Sequence, residues 1–581
     1  MTKLYTKEEN IQMLISLLKE HNIRKVIVNP GTTNISFVAS IQSDDYFEIY
    51  SCVDERSAAY MACGLAEESG EPVVLTCTGA TASRNYMPGL TEAFYNKIPI
   101  IAITATQHPG RVGQNIPQVI DRSEQLADIV KCSVQLQSIH SDEDRWSANL
   151  KINEALLECR RNGGGPIHIN MVTTYDNAFD ENKLCKQKKI DRYTYFDEMP
   201  RISNTTNKVA IFIGNHSQFT KLEEKSIECF CEKYNGIVLC DHTSNYNGKY
   251  KVLGNLVCNQ YGKQFGIKNI DLLIDIGNVS GAYMGFNVKE VWRVNQDGVI
   301  RDTYKKITKI FEMHEITFFN RYNELAIDSK SNTNYYDEFI KEDLRLRDKL
   351  DKLELPFSNV WVAKNIINFI PQNSIVHLAI LNTLRSWNYF TTKNEVKFYS
   401  NTGGFGIDGI MSTAIGSSLC TNNLVFCCIG DLAFFYDMNS IGNKNLRKNL
   451  RILLINNGCG TEFHNYNHRA VSVAKNNNLS LDYFAADGHF GNKSVNLVKH
   501  YSEDLGFIYL KANNKDEFME NINKFINQES EKPIILEVFT DSDDESEALK
   551  KVNNLDITAI SVAKKIVGDK GVKSIKKLLG K

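Results

Sequence analysis

Asp431 follows Gly430 at the end of one apolar run, Leu424-Val-Phe-Cys-Cys-Ile429, and Asn457 follows a second, Ile452-Leu-Leu-Ile455. Short continuous apolar runs are the pattern of strands buried on both faces of a parallel sheet. The aspartate and the asparagine are therefore predicted at the C-terminal ends of two such strands, where open α/β sheets bind ligands. One carboxylate, one amide oxygen and a backbone carbonyl just beyond Asn457, that of Cys459, make a set of hard oxygen donors. They would leave positions open on a magnesium ion for two diphosphate oxygens and a water. Glycines at 430, 458 and 460 let the backbone approach closely. Strand-end Asp and Asn also cap helices and form turns, and on this element alone that reading stands beside the first.

A second candidate is Glu55, in Ser51-Cys-Val-Asp-Glu-Arg-Ser-Ala-Ala-Tyr-Met-Ala-Cys-Gly-Leu-Ala66. It is expected to start a helix of small residues. A first-turn glutamate complements the helix dipole on a surface, and it can also serve as a proton partner if something covers it.

These residues must be held by α/β layers. Residues 1–185 alternate helical patterns such as Asn10-Ile-Gln-Met-Leu-Ile-Ser-Leu-Leu18 with apolar strands at Val26-Ile-Val28, Val73-Val-Leu75 and Pro99-Ile-Ile-Ala-Ile103. The polar stretch from Asp180 to Pro200 reads as a linker. A second block, 200–340, opens with the strand Val209-Ala-Ile-Phe-Ile213 and continues through Ile237-Val-Leu239 and Asp271-Leu-Leu-Ile-Asp275. Gly214 after its first strand lacks the rest of a GxGxxG motif, which argues against a flavin or nicotinamide site. The charged helix around Asp337–Arg347 leads to a third block, 355–545, ending in the strand Pro533-Ile-Ile-Leu-Glu-Val-Phe539. The lysine-rich tail, 546–581, is expected to be a solvated helix with a frayed end, with a membrane-surface or partner contact as the alternative. The fold class is α/β, with three doubly wound domains around parallel central sheets.

A chain of 581 residues with 42% hydrophobic and 23% charged residues is an ordinary soluble enzyme of several domains. A net charge of -2 gives no basic domain for nucleic acid. No apolar run reaches the ~20 residues of a membrane span and the N-terminus has no signal core, so a cytoplasmic protein is expected. The fourteen cysteines lack paired metal spacings and are expected to be reduced core thiols.

Taken together, the Glu55 and Asp431 segments resemble thiamine diphosphate (ThDP) enzymes that decarboxylate and ligate 2-oxo acids, and most closely the SEPHCHC synthase family of menaquinone synthesis. The resemblance is carried by Asn29-Pro-Gly, Asp-Glu-Arg-Ser57, Thr76-Cys-Thr-Gly-Ala-Thr-Ala82, Pro88-Gly-Leu-Thr-Glu-Ala93, Pro99-Ile-Ile-Ala-Ile-Thr104 and Gln118-Val-Ile-Asp121. It resumes at Gly406-Ile-Asp-Gly409, Ser412-Thr-Ala414 and Gly430-Asp-Leu-Ala-Phe-Phe-Tyr-Asp-Met-Asn439. It implies a pyrimidine-binding first domain, a Rossmann-like middle domain and a diphosphate-binding third domain. It implies that Glu55 hydrogen-bonds N1′ of the aminopyrimidine and promotes the tautomer that removes the thiazolium C2 proton. Thr78 and Gly79 would lie by the cofactor, Gln118 would face the reaction centre, and Ile407, beside Gly406, would wedge the cofactor into its bent shape. Gly430, Leu432 and Ala433 would line the diphosphate, with Asp431, Asn457 and the Cys459 carbonyl on Mg²⁺. It also implies a cofactor shared between chains, hence a homodimer or a dimer of dimers.

The departures from that family concern its basic residues. Its Ser-Arg-Ser after the first Pro-Gly is here Thr32-Thr33-Asn34, its Arg after Asn401 is Thr402, and its Ser-Lys-Arg in the middle domain corresponds to Ser280-Gly281-Ala282; Arg385 retains one basic residue. Arg binds carboxylates bidentately, whereas Thr offers one neutral hydrogen bond. Each loss is worth ~2 to 5 kcal/mol where the charge was buried. The expectation is that ThDP chemistry is kept and the substrate has changed, with a 2-oxo acid such as pyruvate as donor and a separate small-molecule acceptor. Thr33, Arg385 and Glu462 are expected to contact substrate, and His464 to relay protons, with His468 and His489 as alternatives. Simple decarboxylation without ligation, a non-catalytic cofactor-binding subunit, and a dehydrogenase on the middle block are the competing readings.

Overall fold

The computed structural model describes residues 3–261, 266–282, 284–326, 334–392, 395–486 and 494–557. Two compact units are formed: Met1–Phe196 with Asp297–Glu312, and Asp197–Gln296 with the chain from Met313 onward.

In the first unit the apolar runs become β1 (Lys25–Val28), β2 (Glu48–Ser51), β3 (Val73–Cys77), β4 (Ile100–Thr106), β5 (Cys132–Leu136) and β6 (Ile167–Val172). They form one sheet in the order β2-β1-β3-β4-β6-β5. Every neighbouring pair is parallel. β1, β3, β4 and β6 are buried throughout, as continuous apolar runs require of strands covered on both faces. Helices Glu9–Glu20 and Asp142–Glu158 contribute to one core layer, and Glu55–Ser69 and Met87–Tyr95 to the other. The stretch read as a linker is not structureless: Asp191–Thr194 is β7, paired in parallel with β13 (Ile307–Glu312). Its polar residues hid it, because a half-buried edge strand needs no apolar run.

In the second unit, β8 (Val209–Ile213), β9 (Gly236–Cys240), β10 (Lys251–Leu253), β11 (Asn269–Ile276) and β12 (Asn287–Asn295) run parallel in the order β10-β9-β8-β11-β12. The last sheet comprises β14 (Ile375–Leu378), β15 (Lys397–Tyr399), β16 (Val425–Gly430), β17 (Leu450–Asn456), β18 (Ile508–Ala512) and β19 (Ile534–Phe539). Its order is β15-β14-β16-β17-β19-β18, again all parallel.

Counted within each block, the first and last sheets have the same strand order, two-one-three-four-six-five. In both, the chain reverses direction across the sheet between its first and third strands, so each has a crevice at the carboxyl ends of that pair. The crevices lie beyond β1 and β3 in the first sheet, and beyond β14 and β16 in the last.

The last described helix, Ser542–Asn553, buries Glu545, Ala548, Leu549 and Val552, so the start of the lysine-rich tail is packed rather than solvated. The rest of the tail lies outside the described residues. Among those described, no helix is long and apolar enough to cross a membrane. None of the fourteen cysteines is in a disulfide, and eight of them are buried.

Candidate functional site

At the crevice of the first sheet, Glu55 opens the helix Glu55–Ser69, whose N-cap Asp54 accepts a hydrogen bond from the Ser57 amide. The Glu55 side chain is half-buried, and its Oε2 accepts from Asn85 Nδ2 at 3.3 Å. Behind it is a dry wall: Tyr86 is fully buried and donates to Asn29 Oδ1 at 2.6 Å, and Asn29 Nδ2 donates to the Cys52 carbonyl at 2.6 Å. Burial holds the Tyr86 phenol well above its ordinary range, and the Cys77 and Glu55 charges push the same way. Burial likewise pushes the Cys77 thiol up to about 12. This wall stays neutral at physiological pH.

Thr78, Gly79 and Thr33 meet at the ends of β3 and β1. The Thr33 and Thr78 hydroxyls are 2.6 Å apart, and Thr33 is buried with its hydroxyl also 3.5 Å from the Ala105 carbonyl. A Cβ on Gly79 would lie 2.7 Å from the Gln118 carbonyl oxygen, so only glycine lets the Gln118 loop seat there. Gln118 itself is exposed and has φ of 62°, a conformation costly outside glycine and typical of sites whose surroundings impose it. Arg122, which the sequence did not single out, anchors this loop. It is buried, and its Nη2 donates to the Ala105 carbonyl at 2.7 Å, while burial lowers its pKa to about 10. A lone arginine four residues beyond Gln118 carried no periodic signal that would have marked it.

At the crevice of the last sheet, Gly430 ends β16 and Asp431 begins the short helix Asp431–Tyr436. The buried Asp431 carboxylate accepts from the Leu432 amide at 2.8 Å through Oδ1 and from the Gly458 amide at 2.7 Å through Oδ2. The second bond ties it to the Asn457 loop, which leaves β17 beside it with Gly458 at φ of 84°. Asn457 Oδ1 lies 3.4 Å from the Cys459 amide. Asp431, Asn457 and Cys459 are therefore brought together as the sequence expects, and carboxylate and amide oxygens with a second lone pair are suited to a hard cation. Among the described residues no group of three or more His, Cys, Asp or Glu is placed to hold a metal ion. Leu432 is half-buried and Ala433 buried in the same helix; Gly406 is exposed, with Ile407 packed against the core of this sheet.

Below the clamp is a group that no sequence pattern marks. Glu537 on β19 accepts from Asn456 Nδ2 and from the Tyr509 hydroxyl, each at 2.7 Å. Burial raises its pKa. It fixes the strand end from which Asn457 projects.

The remaining candidates collect on one wall. Arg385, in the helix Asn382–Trp387 after β14, makes a bidentate ion pair with Glu462, in the turn Thr461–His464 after β17, at 2.9 and 3.0 Å. Gly281 lies against Leu384, whose Cδ2 would be 2.3 Å from an added Cβ, and near buried Thr402, which accepts from Asn215 Nδ2 at 2.9 Å. The positions 281, 385 and 402 are thus neighbours in space. His464 is half-buried at the end of the same turn. His468 is committed to capping the helix Arg469–Asn477, its Nδ1 accepting from the Ala470 amide at 3.1 Å. His489 lies outside the described residues.

Two sheets of one topology, one with a helix-borne glutamate at its crevice and the other with a carboxylate–amide pair, belong to the fold of a thiamine diphosphate-dependent enzyme. Residues 10–125 match the family described as thiamine pyrophosphate enzyme, N-terminal TPP binding domain. Beyond that domain, the 2-succinyl-5-enolpyruvyl-6-hydroxy-3-cyclohexene-1-carboxylate synthase of Phocaeicola vulgatus is 30% identical over 569 residues, covering 94% of this chain and 98% of that protein. The protein of the same name from Bacteroides thetaiotaomicron is 30% identical over 566 residues, with 94% and 98% covered. That from Flavobacterium johnsoniae is 27% identical over 566 residues, with 94% and 99% covered. The chain belongs to this family of thiamine diphosphate-dependent enzymes, which decarboxylate a 2-oxo acid and transfer the resulting carbon unit to an acceptor.

Proposed function

We propose that the protein is a Mg²⁺-requiring, cytoplasmic homo-oligomeric carboligase whose substrates differ from those that lead to the product named for its relatives. The observation that carries the catalytic part is the Asp431 carboxylate joined through the Gly458 amide at 2.7 Å to the Asn457 loop. The one that carries the substrate part is the ion pair that occupies Arg385.

Asp431, Asn457 and the Cys459 carbonyl would hold Mg²⁺, with Gly430, Leu432 and Ala433 at the diphosphate and Gly406 and Ile407 under the thiazolium ring. Bound thiamine diphosphate supplies the electron sink that decarboxylation of a 2-oxo acid needs. Glu55 holds and returns a proton at its carboxyl oxygen, against a wall kept neutral by Tyr86 and Cys77. Thr78 and Gly79 shape the floor beside it, with Thr33 supporting Thr78 rather than reaching out. Gln118 and His464 would each donate hydrogen bonds to substrate oxygens or move protons there.

Assembly is supported by the surroundings of Glu55. Val53, Tyr60 and Met61 are all exposed around the start of its helix, and a Cβ added to Gly64 on the same helix would meet nothing within 4 Å. Such a face is suited to a second chain that excludes water from Glu55, in a dimer or a dimer of dimers.

The substrate part is supported by what fills the three neighbouring positions: Leu384 against Gly281, Asn215 on Thr402, and Glu462 on Arg385. Protein loaded with ThDP and Mg²⁺ should release CO2 from pyruvate or 2-oxobutyrate, and yield a ligated product when an aldehyde or ketone is added. Silence across these, oxaloacetate and 2-oxoglutarate, with cofactor demonstrably bound, would refute it.

A further inference from the structure

Arg385 lies in the helix after β14 and Glu462 in the turn after β17, the two neighbours of β16, so their ion pair joins the segments on either side of the strand that ends at Asp431. Only 21% and 19% of the two side chains is exposed, and screening by water is correspondingly weak. The pair is locked on both sides. Glu462 Oε2 also accepts from Asn465 Nδ2 at 3.1 Å, and Asn382 Oδ1 accepts from Arg385 Nη1 at 3.1 Å and Asn465 Nδ2 at 2.9 Å. The helix carrying Arg385 is preceded by Leu381 with φ of 64°, a strained conformation for a large side chain that a fixed surrounding must impose. Two oxygens of one carboxylate therefore already take the guanidinium fork that a ligand carboxylate would need. A second carboxylate at this wall would face Glu462 as a like charge in a partly desolvated place.

We propose that Glu462 is a specificity determinant: by occupying Arg385 it closes this wall to substrates that bring a second carboxylate there, and admits 2-oxo acids whose remaining group is uncharged. This rests on the proposed function for the identity of the crevice as a substrate site. The chemistry selected is a methyl, alkyl or hydroxyl-bearing tail, which meets neutral Asn382 and Asn465 and a compensated ion pair.

The test is equilibrium binding, by calorimetry, of two unreactive probes to full-length protein loaded with ThDP and Mg²⁺: glutarate, with two carboxylates, and butyrate, with one. Wild-type protein should bind butyrate more tightly than glutarate. Glu462→Gln and Glu462→Ala should each bind glutarate at least tenfold more tightly than wild type, with butyrate affinity held within twofold. The double variant Arg385→Gln with Glu462→Gln should lose that gain. Tighter binding of glutarate than butyrate by wild type overturns the proposal without recourse to any variant. So do unchanged or undetectable glutarate binding by the folded single variants, and parallel changes for both probes, which mark a merely structural pair. Failure of wild type to decarboxylate any 2-oxo acid would refute the proposed function, while the order of glutarate and butyrate affinities would still decide the role of Glu462.

Discussion

Replacing Asp431 with asparagine separates the two chemistries open to this residue. Asn is as good as Asp in turns and caps, so a residue that only shapes a turn would tolerate the change. Here both carboxylate oxygens accept from backbone amides, Leu432 at 2.8 Å and Gly458 at 2.7 Å. An amide side chain can accept one of these, and it sets its own NH2 against the other N–H. Losing one charge-assisted bond costs ~1.5 to 3 kcal/mol, and because the two donor amides are only half-buried the cofactor-free protein should lose about that much stability. The larger signature is in metal dependence. The variant has no anionic ligand among the three proposed donors, and removal of a buried charge partner is worth ~2 to 5 kcal/mol. The Mg²⁺ concentration for half-maximal ThDP binding, read from tryptophan fluorescence or calorimetry, should rise roughly 30-fold or more. A folded Asp431→Asn protein whose Mg²⁺ dependence stays within twofold of wild type would refute the clamp and leave Asp431 as a turn former.

Inactive Glu55→Gln and Asp431→Asn chains, co-expressed, should recover activity, because a shared dimer with a split site rebuilds one intact site from the two wild-type halves; no recovery in verified mixed dimers would place both residues on one chain's site. Gly79→Ala puts a methyl 2.7 Å from the Gln118 carbonyl oxygen, and should leave the fold intact while cutting kcat/KM at least tenfold. Burial holds His168 and His242 neutral down to about 3 and His377 down to about 4, against an ordinary value of 6.5. Below pH 6.5 the unfolded chain therefore binds more protons than the folded one at these three sites, and stability present above that pH is lost as pH falls. Glu545, pushed up to about 7 by burial, acts with the opposite sign. Over these four groups the net is near two protons, a contribution of up to ~2.7 kcal/mol lost per pH unit between pH 6 and 5, which urea midpoints of wild type and a His168→Gln variant across that range would detect.

Much of this was readable because it depends on local chemistry. Val73–Cys77 and Val425–Gly430 are strands because continuous apolar runs have nowhere else to go, and Glu55 starts a helix because Asp54 caps it. What could not be read depends on pairing across distance. Arg385 and Glu462 are 77 residues apart, and nothing in either segment says that one occupies the other. The polar strand Asp191–Thr194 is defined only by its neighbour. The shared order of the first and last sheets left no repeat in the sequence, since buried apolar residues exchange for one another while the topology persists. Arg122 and Glu537 were hidden for a related reason: a buried charge that braces a loop or strand end has no pattern of its own.

The most direct test of a split thiamine diphosphate site does not require knowing the substrate. The exchange of the C2 proton of bound ThDP with deuterium, followed by acid quench and NMR, reports whether the enzyme activates its cofactor. Wild-type protein with Mg²⁺ should exchange at least ~100-fold faster than Glu55→Gln at equal cofactor occupancy, the range expected for a lost proton-transfer partner. Equal rates in the two proteins would contradict the assignment of Glu55, and with it the split site.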